Sequence, residues 1–264
     1  MTQLKNSVVW ITGASSGIGE ALTLQAAQAG AKLILTSRRE SELERVRQAT
    51  GVPDRVAVLP LDLTAFDADD AVRRAEACFG PIDILVNNAG WSQRSKLVDT
   101  SMSVYRQLME LDYFAPVALT RAIVPGMQKR KRGHLVMISS VAGLIGAPMR
   151  TGYCAAKHAL AGFSEATRAE LWRDGLKVSV VYPGYVRTQI AINALEGDGS
   201  AHGVMDPLTD EGISPEDCAE DIWDGIADNE EEIFMGGKEL MYVRLKRYAP
   251  KVFSFALKRA RKVT

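Results

Sequence analysis

Tyr153 and Lys157 stand four residues apart in the run Tyr153-Cys154-Ala155-Ala156-Lys157, and Ser140 precedes the tyrosine by thirteen positions. On a helix, that spacing puts the phenol and the ammonium on one face, a turn apart. An isolated tyrosine ionises near pH 10, about three units from neutrality, so it is a poor proton shuttle on its own. A cation one turn away stabilises the phenolate and turns the phenol into a usable acid and base. The Ser140 hydroxyl could hold a carbonyl oxygen at the tyrosine. Such a trio handles the proton of a carbonyl–alcohol conversion and needs a hydride donor beside it.

The N-terminal third has the pattern that binds one. Ser7-Val8-Val9-Trp10-Ile11 is a short apolar run that ends in Thr12-Gly13-Ala14-Ser15-Ser16-Gly17-Ile18-Gly19. Glu20 to Ala29 has helical spacing, and Gly30 closes it. In this strand, glycine turn and helix, Gly13, Gly17 and Gly19 let backbone approach a pyrophosphate whose charge sits at the helix N-terminus. The spacing is GxxxGxG rather than GxGxxG. A tight turn with no ligand is the plain alternative. Lys32 to Thr36 reads as the second strand and ends in Ser37-Arg38-Arg39, where an NAD site would place a carboxylate for the ribose 2′-hydroxyl. A guanidinium there instead suits a 2′-phosphate. Arg38 and Arg39 therefore point to NADP(H), unless both merely begin the next helix in solvent.

Further along, Arg55 to Leu59 forms a third strand that leads to Asp62 and Leu63, and Ile82 to Val86 forms a fourth that runs into Asn87-Asn88-Ala89-Gly90. Asp62 is either a ligand to an adenine amino group or a turn aspartate. A helix spans about Ser101 to Lys129, with Leu108, Leu111, Ala115 and Leu119 along one side. Gly133 to Ile138 is the fifth strand and delivers Ser140, the Tyr153 helix continues to about Asp174, and Lys177 to Tyr182 is the sixth strand. Alternating strands and helices predict one α/β domain over 1–264, a doubly wound parallel sheet with helices on both faces.

Composition narrows the partners. Lys+Arg and Asp+Glu balance at 32 each, so no global charge calls for nucleic acid. Cys78, Cys154 and Cys218 have no metal-ligand spacing, and no metal site is expected. Sparse, odd cysteines and no leader before the first strand predict a cytoplasmic protein. The segment Gln189 to Ile213 holds Gly197, Gly199 and Gly203 and reads as a flexible lid. Asp206 to Glu232 carries twelve acidic residues and no Lys or Arg; Arg244 to Lys262 carries eight basic residues and no acidic one. These segments either face each other or lie solvated. The basic helical tail, about 240–264, has three readings: a subunit contact, a membrane-surface contact or a cover over the pocket.

Taken together, these residues resemble the short-chain dehydrogenase/reductase family, "classical" subgroup, nearest its hydroxysteroid- and retinol-dehydrogenase-like reductases. The matching pieces are Thr12 to Gly19, Asp62, Asn87 to Gly90, Ser140, Tyr153 with Lys157, and Pro183-Gly184-Tyr185-Val186-Arg187-Thr188. The resemblance implies a Rossmann fold with a seven-stranded sheet in order 3-2-1-4-5-6-7, a nicotinamide cofactor and a homodimer or homotetramer. Tyr153 would be the general acid/base, Lys157 its partner and a ribose ligand, and Ser140 the clamp on the substrate oxygen. Ser15, Ser16, Ile18 and Arg38 would meet the adenosine-side phosphates, with Asp62 and Leu63 at the adenine and Asn88, Ala89 and Gly90 along the middle. Pro183, Gly184, Val186 and Thr188 would line the nicotinamide. Read from the loops over the sheet edge, Ala142, Leu144, Met149, Tyr185 and Ile190 either form a pocket for a small hydrophobic substrate or are ordinary core and loop residues. One position departs: Asp112 stands where the family carries an asparagine that supports a proton relay to the lysine. The competing functions are a silent NADP-binding scaffold and an isomerase or epimerase built on the same dyad.

Overall fold

A computed structural model describes residues 2–259. The last part of the expected tail, residues 260–264, lies outside the described residues. Seven parallel strands form one sheet in the order β3-β2-β1-β4-β5-β6-β7. They are β1 (Val8–Thr12), β2 (Lys32–Thr36), β3 (Val56–Val58), β4 (Ile84–Asn87), β5 (His134–Ile138), β6 (Lys177–Pro183) and β7 (Glu232–Met235). Helices cover both faces, which is why β1, β4 and β5 read as continuous apolar runs.

Alternate side chains on each strand feed two cores. Val9, Ile11, Leu33 and Leu35 pack under α1 (Gly17–Gln28) and α8 (Pro215–Asp228) with Leu22, Ala26, Ile222 and Ile226. Val8, Trp10, Ile34 and Leu85 pack under α3 (Ala68–Phe79), α5 (Ala115–Arg130) and α6 (Thr151–Leu171) with Val72, Leu119, Ile123 and Leu160. The Trp10 indole satisfies its N–H on Thr36 Oγ1 at 2.9 Å. The order in which strands are added reverses at β1, which pairs with β2 on one side and β4 on the other. In open sheets, that switch point is where ligands gather.

The long helix expected over 101–129 is not a continuous α-helix. It runs as α4 (Met102–Met109), a π-helical turn over Glu110–Phe114, and α5. Remaining helices are α2 (Glu40–Ala49), α7 (Pro207–Asp210), α9 (Glu239–Tyr248) and α10 (Pro250–Arg259). The last two fold back on their own chain. Phe253 packs on Val141 and Ile145, just after Ser140, with Leu240, Val243 and Leu257 around it.

In the segment 189–213, expected as a lid, the middle is held against the loop after Gly90. Leu195 pairs with Gln93, its N–H donates to the Ser92 carbonyl at 2.8 Å, and its own carbonyl accepts from Arg94 N–H at 2.9 Å. A Cβ on Gly197 would sit 1.9 Å from the Asp99 carbonyl oxygen, so this glycine allows close packing rather than motion.

Candidate functional site

A cleft opens over the carboxyl ends of β1 to β4. The expected cofactor residues Gly13, Ser15, Ser16, Gly17, Ile18, Arg38, Arg39, Asp62, Leu63, Asn88, Ala89, Gly90 and Thr188 all line it, as does Ile190 from the expected substrate set. Its floor is the glycine turn. Gly17 has φ of 57°, and Gly13, at φ of 66°, lies so close to β4's end that a Cβ would meet Ala89 Cα at 2.9 Å. Gly19 does not line the cleft; a Cβ there would lie 2.3 Å from the Gly13 carbonyl oxygen, so it sets the helix against the turn. Ser16 precedes α1 without capping it through its side chain, so the helix N-terminus keeps its N–H groups and positive end facing the cleft. A backbone cradle of this kind, with two arginines at its rim, fits a dinucleotide phosphate.

Hydrogen bonds lock the turn. Asn88 Nδ2 donates to the Thr12 carbonyl at 2.9 Å, while Thr12 Oγ1 accepts from the N–H groups of Asn88 and Ala89 at 3.0 and 3.1 Å. From α2, Arg45 clasps Glu20 at 2.8 Å and reaches the Ser15 carbonyl at 3.3 Å. The hydrogen bonds to Glu20, and after them the one to Glu42, raise the pKa of Arg45 further. The Arg38 guanidinium lies 5.2 Å over the Trp91 ring, spanning the cleft from the end of β2 to the residue after Gly90. Asp62 makes the contacts of a turn aspartate at the cleft's edge. It lines the cleft, and its Oδ1 also accepts from Thr64 N and Oγ1 at 3.0 and 2.7 Å. Those bonds, with Arg38 beyond them, hold its carboxyl below the usual range.

Lys157 meets the cleft through Gly90. A Cβ on Gly90 would lie 3.2 Å from Lys157 Nζ and 2.9 Å from Asp112 Oδ1. Lys157 is buried, donates to the Ile138 carbonyl at 3.0 Å, and sits 5.8 Å from the Tyr153 ring centre. Asp112 is fully buried in the π turn, where Oδ1 accepts from Trp91 N–H at 2.8 Å. Its Oδ2 has no hydrogen-bond partner among the described residues and faces Lys157 Nζ at 4.0 Å. Burial pushes this carboxyl up to about 6, against the pull of Lys157 and the Trp91 N–H.

Ser140, Tyr153, Ala142, Leu144, Met149 and Tyr185 do not line the cleft. Ser140 heads a one-turn 3₁₀ segment, Val141–Gly143, that packs on α6; its Oγ donates to the Pro183 carbonyl at 3.3 Å and accepts from Ala142 N–H at 3.1 Å. Gly143 permits that contact, since a Cβ would lie 2.8 Å from the Lys157 carbonyl oxygen. Tyr153 is 6 % exposed and packs with Ala142, Cys154 and Ala147. Burial pushes the Cys154 thiol up, which fits a packing role. Pro183, Gly184 and Val186 also lie off the cleft. Gly184 faces Glu239, whose Oε1 accepts from Tyr185 N–H and Gly237 N–H at 3.0 Å each, joining the ends of β6 and β7 to α9. Leu144 offers its carbonyl to Lys246 of the tail, and Met149, at φ of 61°, accepts from Ser95 N–H at 3.1 Å.

Two groups escape sequence reasoning. Gln93 is fully buried; its Oε1 accepts from Gly152 N–H at 2.6 Å and Tyr153 N–H at 3.4 Å, and its Nε2 donates to Ser95 and Thr100 at 3.1 Å. It therefore caps the helix that carries Tyr153. Asp206 is buried between Arg94 at 2.8 Å and Arg150 at 3.4 Å, tying the 189–213 segment to the loop after Gly90 and to the start of α6. No local pattern marks Gln93, and none marks Arg94 and Asp206, whose partnership spans more than a hundred residues.

Comparison with known proteins agrees with this architecture. A family model described as short chain dehydrogenase matches residues 7–198. The Anopheles gambiae protein "Dehydrogenase/reductase SDR family protein 7-like" is 41 % identical over 265 residues, covering 97 % of this chain and 83 % of its own length. Among solved structures, a short chain dehydrogenase/reductase from Burkholderia phymatum in complex with NAD superposes with a TM-score of 0.85 at 24 % identity, covering 96 % of each chain. A short chain dehydrogenase from Burkholderia cenocepacia J2315 in complex with NADP gives 0.81 at 22 %, covering 97 % of this chain and 99 % of its own. At those identities, the structural likeness speaks to the fold.

Proposed function

The chain belongs to the short-chain dehydrogenase/reductase family, and from that premise we propose an NADP(H)-dependent oxidoreductase that interconverts a ketone or aldehyde and an alcohol on a small hydrophobic substrate. One observation carries the reading: Gly90, in the wall of the dinucleotide-shaped cleft, lies directly against the Lys157 ammonium, on the helix that bears Tyr153. The phosphate cradle and the proton-handling pair are thus back to back.

Gly13, Ser15, Ser16, Gly17 and Ile18 would hold the pyrophosphate, and Arg38 with Arg39 the 2′-phosphate. The Arg38–Arg39 rim favours NADP(H), whereas the solved structures cited above carry NAD in one case and NADP in the other. The nicotinamide supplies the hydride chemistry; the chain orients the reactants and moves the proton. Tyr153 gives a proton to the developing alkoxide in reduction and takes it back in oxidation. Lys157 stabilises the phenolate, and Ser140 donates to the substrate oxygen more strongly as charge grows there.

The test is Tyr153→Phe, assayed by loss of NADPH absorbance over a panel of ketones, with NADH as control. NADPH fluorescence titration should show binding retained while turnover is lost. Retained turnover in this variant would remove Tyr153 from the proton step.

A further inference from the structure

The two C-terminal helices present a face that the other described residues leave open. α10 buries Phe253, with Leu257 beside it, against Val141 and Ile145. At 3.6 residues per turn, Lys251, Val252, Phe255, Lys258 and Arg259 fall within about 120° on the opposite side. All five are exposed, Val252 and Phe255 at 56 % each, and the Arg259 guanidinium lies 4.0 Å from the Phe255 ring centre. α9 adds exposed Met241 and Tyr248 beside Arg244 and Arg247.

The charge on this face is not neutralised from within. Among the described residues, none of Arg244, Lys246, Arg247, Lys251, Lys258 and Arg259 joins an ion pair. Glu239, the one acidic residue of these helices, is engaged with the Tyr185 and Gly237 N–H groups. A second copy docking here by symmetry would oppose cations to cations, which disfavours self-contact. Apolar side chains interleaved with basic ones on one side of a short helix suit an interface between water and anionic lipid. No helix among the described residues is long and apolar enough to cross a membrane, so the fit is to its surface.

We infer that α9 and α10 seat the protein on an anionic membrane surface, Val252 and Phe255 entering the acyl boundary and Lys251, Lys258 and Arg259 pairing with lipid headgroups. The inference is independent of the cofactor reading above. Phe253 packs from the other side of the same helix onto the turn after Ser140, so the lipid-facing helix also forms the outer support of that turn.

The full chain should be floated on a density gradient with vesicles of phosphatidylcholine alone or mixed with phosphatidylserine. Wild type is expected to rise with the anionic vesicles, less so as salt increases, and to stay behind with neutral ones. Lys251→Gln/Lys258→Gln/Arg259→Gln should weaken partition about a hundredfold, from about 1 kcal/mol per basic residue at an anionic surface. Val252→Glu/Phe255→Glu should abolish it. Every substitution is at an exposed position, and an unchanged thermal midpoint confirms folding; Val252→Ser/Phe255→Ser serves if a glutamate variant melts early. The inference is overturned if wild type fails to float, if it floats equally with neutral vesicles, or if the variants float like wild type. It is also overturned if Val252→Glu/Phe255→Glu splits an oligomer in a protein that binds no vesicles, since the face is then a contact between copies.

Discussion

Asp112 Oδ2 faces Lys157 Nζ across 4.0 Å, with the carboxyl fully buried and the ammonium nearly so. Folding raises this carboxyl from 3.8 to about 6, so the folded state holds its proton more tightly than the unfolded chain does. The resulting penalty on stability is absent below about pH 4, grows as pH rises to about 6, and is complete above, at about 3 kcal/mol. Asp112→Asn should therefore gain stability relative to wild type between pH 4 and 6 in urea denaturation, and should flatten any step near pH 6 in the rate profile. If both profiles match wild type, Asp112 does not titrate in this range.

Gln93 positions Tyr153 from outside the site. Gln93→Leu leaves the buried Gly152 N–H unpaired, a loss of about 1–3 kcal/mol. We expect kcat to fall while KM for NADPH holds, because the cofactor cleft does not include Gln93. Gln93→Glu keeps the acceptor oxygen and should recover part of kcat. Equal kcat in the two variants would assign Gln93 to folding alone.

Arg38 should decide between the two nicotinamide cofactors. A hydrogen bond to a charged group contributes about 1.5–3 kcal/mol, so Arg38→Ala should raise KM for NADPH roughly 10- to 100-fold. KM for NADH should scarcely move, because NADH has no 2′-phosphate. Parallel rises for both cofactors would mean that Arg38 shapes the cleft through Trp91 rather than reading the phosphate.

The Arg94–Asp206 pair is the fastening of the 189–213 segment. Arg94→Met leaves a carboxylate buried with only the more distant Arg150, and breaking such a pair costs about 3–5 kcal/mol. Asp206→Asn keeps a side-chain oxygen for Leu208 N–H, which Asp206 now caps at 2.9 Å. Combined with Arg94→Met, it should destabilise less than the two single changes added together. Denaturant midpoints of the four proteins close this cycle, and strict additivity would show the pair to be uncoupled.

Apolar runs ending in small polar turns made most of the sheet readable, since strands covered on both faces have nothing to alternate with. β7 was legible only through resemblance to a family. It sits at the sheet edge among Glu230 to Glu232, with Phe234 exposed, so its run is too short and mixed to announce itself. Cleft residues such as Ser15 and Asn88 follow strand ends directly, where local order predicts position. Gln93 acts on Gly152, 59 residues on, and a contact at that separation leaves no local trace. The packing role of Gly197 is hidden for a related reason: the Asp99 carbonyl that it admits lies far from it in the sequence.

The π turn at Glu110–Phe114 makes the chain length here a constrained quantity. It holds one residue more per turn than an α-helix, and it joins a half that packs Val104 and Leu108 on Leu195 to a half that packs Ala115, Leu119 and Ile123 on the sheet. Deleting one residue from it would let the helix regularise and would rotate one half against the other by about 100°. Either the Asp112 carboxyl or the buried stripe of α5 would then turn away from its partners. Substitutions along this helix can be absorbed one side chain at a time; a single-codon deletion cannot, so natural length variation should bypass these five residues and collect in the surface loops.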